Sequence, residues 1–132
     1  MFPGDLSRFP EDIRAALAKS EAATKMNDKY TLAIALSYGG RAEIINAIRR
    51  IPKEEVEQIS EEKFASLLWT AAIPDPDMII RTSGEQRLSG FLTWASIYSE
   101  LFFTPTLWPD FSRQEFLTIL EEYNARERRL GK

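Results

Sequence analysis

Two apolar runs of strand length, each followed by a turn, most constrain the fold of this chain. Residues 31–38 are almost continuously apolar, which is typical of a strand buried on both faces of a parallel sheet, so we expect a strand near 31–37. Gly39 and Gly40 end this run, and isoleucines then recur at helical spacing until Pro52. A second buried strand is predicted near 78–82. Strands that alternate with helices predict an α/β fold, with a parallel sheet flanked by helices.

The remaining elements follow from start and stop signals. Helices are predicted from about residue 11 to 24, from Ser60, over 92–99, and from Ser112 to about Arg129. Ser112 and Glu115 have the spacing of a capping box. A third parallel strand is predicted near 101–104. The 132 residues allow a single domain, 1–132, and three strands are few enough to suggest part of a larger sheet.

Composition excludes several classes of function. The chain has no cysteine and no histidine, which excludes disulfides, zinc sites built from those residues, and nucleophile–histidine triads. A metal site would need carboxylates, which favours Mg²⁺. The net charge of −3 argues against nucleic-acid binding. No apolar run has the length of a membrane span and no signal peptide is evident, so we expect a cytoplasmic protein.

The segment from Asp77 to Phe91 carries the most chemistry. A buried strand delivers Arg81 to its carboxyl end, where open α/β sheets bind ligands. Arg87 and Ser89 follow in the same loop. Two guanidinium groups and a hydroxyl could converge on one diphosphate. The alternative is two surface arginines in a polar loop, and spacing alone leaves both interpretations open.

Three other motifs have simpler alternatives. The turn Tyr38-Gly39-Gly40-Arg41 could admit a phosphate, although a tight turn is the better interpretation of two glycines. Glu100 ends an apolar segment predicted to be helical, where an acid opposes the helix dipole, so it suggests a cation or an arginine as partner. The alternative is an ordinary surface salt bridge. The cations of 126–129 could simply compensate the dipole of the last helix.

Four segments of this chain resemble motifs of one family. Residues 75–89 and 97–111 closely resemble two signatures of the cis-prenyltransferases, the undecaprenyl diphosphate synthase family. Residues 37–41 are similar to the family's Asn-Tyr-Gly-Gly-Arg, and 126–131 to its Arg-Glu-Arg-Arg-Phe-Gly. The matches are collinear and span nearly the whole chain. The chain is therefore identified as the C-terminal part of a cis-prenyltransferase, with a partial version of that fold.

The resemblance implies a reaction and a set of roles. The family condenses isopentenyl diphosphate with an allylic prenyl diphosphate, using Mg²⁺, to give a Z-polyprenyl diphosphate. By resemblance, Arg81, Arg87 and Ser89 bind the diphosphate of isopentenyl diphosphate, and Arg129 belongs to a C-terminal motif that reaches the partner subunit's site. Glu100 helps to hold Mg²⁺. The implied partner is a second copy or another chain, with transient contact to a membrane surface for product release, and no residue here is assigned as catalytic.

This chain also departs from the family pattern. Ser37 replaces the usual Asn, Gly90 replaces an Asn that commonly follows the motif serine, and Thr93 and Ala95 stand where Leu and Gln are frequent. The family's Asp-Gly-Asn-x-Arg motif, which holds the allylic diphosphate and Mg²⁺, is absent from these residues. The chain is therefore expected to carry the isopentenyl diphosphate half-site and to be inactive alone. A non-catalytic partner subunit is the alternative, and a simple isoprenoid-diphosphate binder is a weaker one.

Overall fold

The secondary structure of residues 1–126, the part that the computed structural model describes, combines helices with one two-stranded parallel sheet. The predicted α/β class with parallel strands is confirmed. By its internal contacts the chain divides into two units, Met1–Ile73 and a second that begins at Pro74. Within residues 1–126, no helix combines the length and the apolar character needed to cross a bilayer.

The first unit is built from helices whose starts are encoded locally. Ser60 caps its third helix, because the Ser60 hydroxyl accepts a hydrogen bond from the Lys63 N–H at 3.2 Å. A separate hydrogen bond between the Ser60 side chain and the Glu62 carboxyl lowers the pKa of that carboxyl. The unit contains α1 (Glu11–Thr24), α2 (Gly40–Arg49) and α3 (Glu61–Ala65), with 3₁₀ turns at Leu6–Arg8 and Lys53–Gln58.

A buried carboxylate lies in the core of the first unit. Glu43 of α2 is only 1% exposed. Its Oε1 accepts hydrogen bonds from the Thr70 N–H at 2.9 Å and the Thr70 hydroxyl at 2.8 Å, and its Oε2 accepts from the Tyr38 hydroxyl at 2.5 Å. The Tyr38 ring packs edge-on against Trp69, with centroids 6.2 Å apart. These bonds fix the turn before α2 to the segment after α3.

The prediction of a strand near 31–37 is wrong, because the structure has no regular strand there. Residues 32–36 run beside the N-terminus with the alternating hydrogen bonds of a parallel pair, from Met1 N to Leu32 O, Ile34 N to Met1 O, and Leu36 N to Pro3 O. Pro3 has no N–H to donate the next bond, so the ladder is interrupted and no regular strand forms. Leu32 is 73% exposed, so burial on both faces is not observed either.

The second unit contains the sheet. Strands β1 (Met78–Arg81) and β2 (Glu100–Phe103) are parallel, with Met78 opposite Glu100 and Arg81 opposite Phe103. The strands predicted near 78–82 and 101–104 are thus confirmed. A 3₁₀ turn at Trp108–Asp110 precedes α4 (Arg113–Ala125), the last element of the described residues. The buried apolar side chains of this unit are Ile79, Ala95, Phe102 and Ile119.

The helix predicted over 92–99 is a series of turns. Gly90 and Leu92 have φ values of +80° and +48°, which take the backbone out of the right-handed helical region at the start of the segment. The hydrogen bond from Ser96 N to Leu92 O has helical span, whereas the bond from Ser99 N to Ser96 O spans three residues. Ala95 is buried whereas Ile97 and Tyr98 are 74% and 66% exposed, so the apolar pattern of the segment marks neither a helix nor a continuous buried face.

Helix α4 begins as predicted and ends earlier. The Ser112 hydroxyl accepts from the Glu115 N–H at 3.1 Å, which is one half of the predicted capping box. The other half is absent, because the Glu115 carboxylate accepts from the Thr104 hydroxyl instead. Arg126 has an extended backbone, so α4 ends at Ala125, and the rest of the predicted span, to about Arg129, lies outside the described residues.

Candidate functional site

Arg81 lies at the carboxyl end of β1, where the sequence placed it. Its guanidinium Nη1 donates hydrogen bonds to the backbone carbonyl of Arg87 and to the hydroxyl of Ser89, the latter at 3.0 Å. The structure therefore brings Arg81 and Ser89 into direct contact across the loop of residues 82–89. Both acceptors are neutral, so these bonds orient the guanidinium without compensating its charge.

The loop holds a backbone that is unusual for non-glycine residues. Ser83, Ser89 and Leu92 all have positive φ, at +76°, +50° and +48°. Such conformations cost energy and persist where the surroundings impose them, and they are frequent at ligand sites. Gly90 has φ +80°, and a Cβ there would meet only the Thr93 hydroxyl, at 4.0 Å. Glycine and asparagine both adopt this conformation, so Gly90 in place of the family's asparagine is compatible with the loop.

Thr104 connects this loop to the rest of the unit, a role that the sequence did not reveal. Its N–H donates to the Arg81 carbonyl at 2.9 Å, and its own carbonyl accepts from the Gly84 N–H at 2.8 Å. Its hydroxyl donates to Glu115 of α4 and accepts from the Thr106 N–H at 3.2 Å. Thr104 is itself buried, with 7% of its surface exposed. The only sequence signal was its position inside the 97–111 motif.

Arg87 has a charged partner of its own. Its Nη1 forms an ion pair with the carboxylate of Glu85, two residues earlier in the same loop. The Arg87 side chain is 63% exposed and that of Glu85 is 42% exposed, so the pair is in contact with solvent. Sequence reasoning gave Glu85 no role, although its position between the two arginines was visible.

An apolar cavity of about 290 Å³ adjoins Arg81. Its walls are largely hydrocarbon, and Arg81 is the charged residue among those that line it. A cavity of this kind fits a ligand with a short apolar part and an anionic end. The lining residues are Ile79, Ile80, Arg81, Thr82, Leu88 and Phe91.

Glu100 lies at the other end of the sheet. It pairs with Met78 in register, whereas Arg81 pairs with Phe103, so about 10 Å of strand separates Glu100 from the arginine loop. Its Oε2 accepts a hydrogen bond from Arg126 Nη1 at 2.6 Å, and the Arg126 guanidinium lies 3.9 Å from the centre of the Phe102 ring. The partner suggested by the sequence, a cation or an arginine, is therefore an arginine in this chain.

The predicted metal role finds no complete site here. In residues 1–126, no three acidic side chains cluster in a way that could hold a metal ion. Glu100 offers only one carboxylate, already paired with Arg126, so the described residues do not by themselves fit Mg²⁺. Arg129, the fourth predicted substrate-binding residue, lies outside the described residues.

The fold and the loop define an α/β protein with a candidate site for an amphipathic anion at the carboxyl end of a parallel strand. Comparison with family models identifies the family within this broad class. The chain belongs to the prenyltransferase family described as undecaprenyl diphosphate synthase, whose model matches residues 1–131.

Similar proteins carry related names. The chain is 50% identical over 128 residues to an isoprenyl transferase of Fusobacterium nucleatum, a match that covers 97% of this chain and 55% of that protein. It is 43% identical over 135 residues to a tritrans,polycis-undecaprenyl-diphosphate synthase (geranylgeranyl-diphosphate specific) of Thermoplasma volcanium, covering 98% of this chain and 52% of that protein. The chain thus spans about half the length of the curated relatives it matches.

Solved structures agree with the family assignment. A probable undecaprenyl diphosphate synthase from Campylobacter jejuni matches with a TM-score of 0.89 and 36% identity, over 100% of this chain and 62% of that one. Lavandulyl diphosphate synthase from Lavandula x intermedia, solved with dimethylallyl diphosphate, matches with a TM-score of 0.92 and 36% identity, over 99% of this chain and 59% of that one. The described elements therefore follow the fold of this family.

Proposed function

We propose that this chain carries the isopentenyl diphosphate half-site of a cis-prenyltransferase. The complete reaction condenses isopentenyl diphosphate with an allylic prenyl diphosphate and yields a Z-polyprenyl diphosphate. The family assignment supports the reaction class. The half-site assignment rests on the contact between Arg81 and Ser89 beside an apolar cavity.

The shape and chemistry of this region suit the proposed ligand. Isopentenyl diphosphate has a five-carbon hydrocarbon end and a diphosphate end. Ile79, Ile80 and Leu88 offer the hydrocarbon an apolar wall, and Arg81 offers the diphosphate a forked cationic donor at the edge of that wall. The Ser89 hydroxyl, already bonded to Arg81, can donate its proton to a phosphate oxygen.

Arg87 completes the proposed diphosphate site. It lies in the same loop, and its ion pair with Glu85 is exposed and weak enough to exchange for a phosphate oxygen. Glu100 is too far along the sheet to share that ligand within one chain, so we propose that it acts in a site completed by a second copy or another chain. Mg²⁺ there would need oxygen ligands beyond those of residues 1–126.

A second candidate is a non-catalytic subunit that supports a separate catalytic chain. It is favoured by the absence of Asp-Gly-Asn-x-Arg from the 132 residues. The retained cluster of Arg81, Arg87 and Ser89 favours the half-site proposal instead, because a purely supporting subunit has little need of it. Binding of isopentenyl diphosphate to the chain separates the two candidates.

The test is calorimetric titration of isopentenyl diphosphate into the chain and into Arg87→Ala. We expect the substitution to cost roughly 1.5–3 kcal/mol of binding free energy, the usual range for a lost charged hydrogen-bond partner. Arg113→Ala, which removes an exposed arginine from the first turn of α4, is the matched control and should bind like the unaltered chain. Equal affinities for the unaltered chain and Arg87→Ala would refute the half-site assignment of Arg87.

A further inference from the structure

We propose that Glu85 sets the charge threshold of the anion site, by competing with the incoming ligand for Arg87. In this view a diphosphate must displace Glu85 from Arg87 in order to bind both arginines, whereas a single phosphate group at Arg81 need not. The inference rests on the proposed function, since it assigns a residue to the same site. It starts from the ion pair between Glu85 and Arg87 in the described loop.

The two arginines of the site are held in different ways. Arg81 is bonded to a backbone carbonyl and a hydroxyl, which are neutral, so its positive charge is available to a ligand. Arg87 is bonded to a carboxylate, so its charge is largely compensated while that pair is intact. The loop as it stands therefore presents about one net positive charge, and it presents two when Glu85 turns away.

The Glu85–Arg87 ion pair is weak enough to open when a ligand binds. Both side chains are substantially exposed, and exposed ion pairs contribute little because water screens them and ordering long side chains costs entropy. Glu85 has no other hydrogen bond or ion pair within residues 1–126, so it can swing into solvent without leaving a buried group unpaired. The pair thus contributes a modest barrier to binding and little to the stability of the fold.

The ligand's charge decides whether that barrier is overcome. A single phosphate group at Arg81 leaves the Glu85–Arg87 pair intact and is repelled by the nearby carboxylate. A diphosphate has a second phosphoryl group that can reach Arg87, and its charged hydrogen bonds replace those of Glu85. The diphosphate therefore bears the cost of opening the Glu85–Arg87 pair, and the single phosphate group does not.

The experiment titrates inorganic phosphate and pyrophosphate into the full chain and into Glu85→Gln. We expect Glu85→Gln to bind both anions more tightly, by roughly two- to fivefold as for one exposed charge interaction. The gain should be larger for pyrophosphate, because only this ligand has to open the Glu85–Arg87 pair, so the ratio of pyrophosphate to phosphate affinity should rise. Far-ultraviolet circular dichroism should be unchanged, because the loop position is solvent-exposed.

Two control variants make the outcome specific. Glu121→Gln, an exposed acid on α4, changes the net charge equally and should leave both affinities unchanged. In the Arg87→Ala background, Glu85→Gln should no longer raise the ratio of pyrophosphate to phosphate affinity, because the competition needs Arg87.

The results that overturn the proposal are distinct from those that overturn the half-site. If Arg87→Ala weakens pyrophosphate binding but Glu85→Gln leaves the ratio unchanged, or weakens binding, then Glu85 is not a competitor and only this inference fails. If Arg87→Ala does not affect pyrophosphate binding, the half-site assignment of Arg87 is wrong and the inference fails with it.

Discussion

At the scale of single residues, Glu43 is the clearest case of a polar group that holds structure in place. A carboxylate that is 1% exposed is costly to bury unless its oxygens are satisfied. Here two donors of Thr70 and the hydroxyl of Tyr38 satisfy them. The turn that leads into Arg41 is therefore tied to the Thr70 segment through one side chain.

We predict that Glu43→Ala lowers the free energy of unfolding of the chain by roughly 2–4 kcal/mol, because three donors lose their acceptor inside the core. Glu43→Gln keeps a carbonyl that can accept from Thr70 and should cost less. Urea unfolding followed by circular dichroism measures both. Equal losses for the two variants would show that the hydrogen bonds to Thr70 are not what stabilises this region.

At the scale of elements, helix starts depend on local hydrogen bonds. The Ser112 hydroxyl accepts from the Glu115 N–H at the start of α4, and the Glu115 side chain is free to support Thr104 below the arginine loop. The cap thus positions Glu115, whose carboxylate holds Thr104 beside the arginine loop. Helix α3 begins in the same way, with the Ser60 side chain as its N-cap.

Ser112→Ala should lower the free energy of unfolding by about 1 kcal/mol, the usual cost of losing an N-cap side chain. Ser112→Asn retains a capping oxygen and should stay within a few tenths of a kcal/mol of the unaltered chain. Thermal or urea unfolding of the three proteins side by side checks this. A loss of the same size in Ser112→Asn would argue that the serine acts through packing and not through its hydroxyl.

At the scale of the whole molecule, the chain presents an exposed strand-like edge in its first unit. The N–H groups of Ala33 and Ala35 make no hydrogen bond within the described residues, and Leu32 and Ile34 are 73% and 45% exposed. Leu32 and Ile34 line an open groove of about 800 Å³ next to α1. Edges of this kind readily pair with another strand, which supports the proposal that the chain works with a second copy or a partner chain.

We predict that the purified chain, confirmed by mass to start at Met1, does not condense farnesyl diphosphate with isopentenyl diphosphate. Ionisation of an allylic diphosphate needs charge-stabilising groups on the leaving group, and neither the Asp-Gly-Asn-x-Arg motif nor a cluster of three acidic side chains is found in its described residues. Labelled isopentenyl diphosphate with Mg²⁺ gives the readout. Labelled polyprenyl product from this chain alone would prove the prediction wrong.

The sequence by itself determined what depends on neighbouring residues. Apolar runs predicted β1 and β2, and the alternation of strands with helices predicted that the two strands are parallel. Capping serines predicted where α3 and α4 begin. The loop that carries Arg81, Arg87 and Ser89 was also found from its position after a buried strand. These signals are local because strand burial, helix capping and turn chemistry act over a few residues.

Only the tertiary structure decided what depends on distant partners. Residues 31–37 failed to form a strand because the segment they lie against contains Pro3, which lacks the needed donor. The partner of Glu100 is Arg126, 26 residues further along the chain, and Thr104 supports the arginine loop by bonds to three separate segments. Hydrogen-bond and charge partners are chosen by proximity in space, and no short window of sequence contains both members of such pairs.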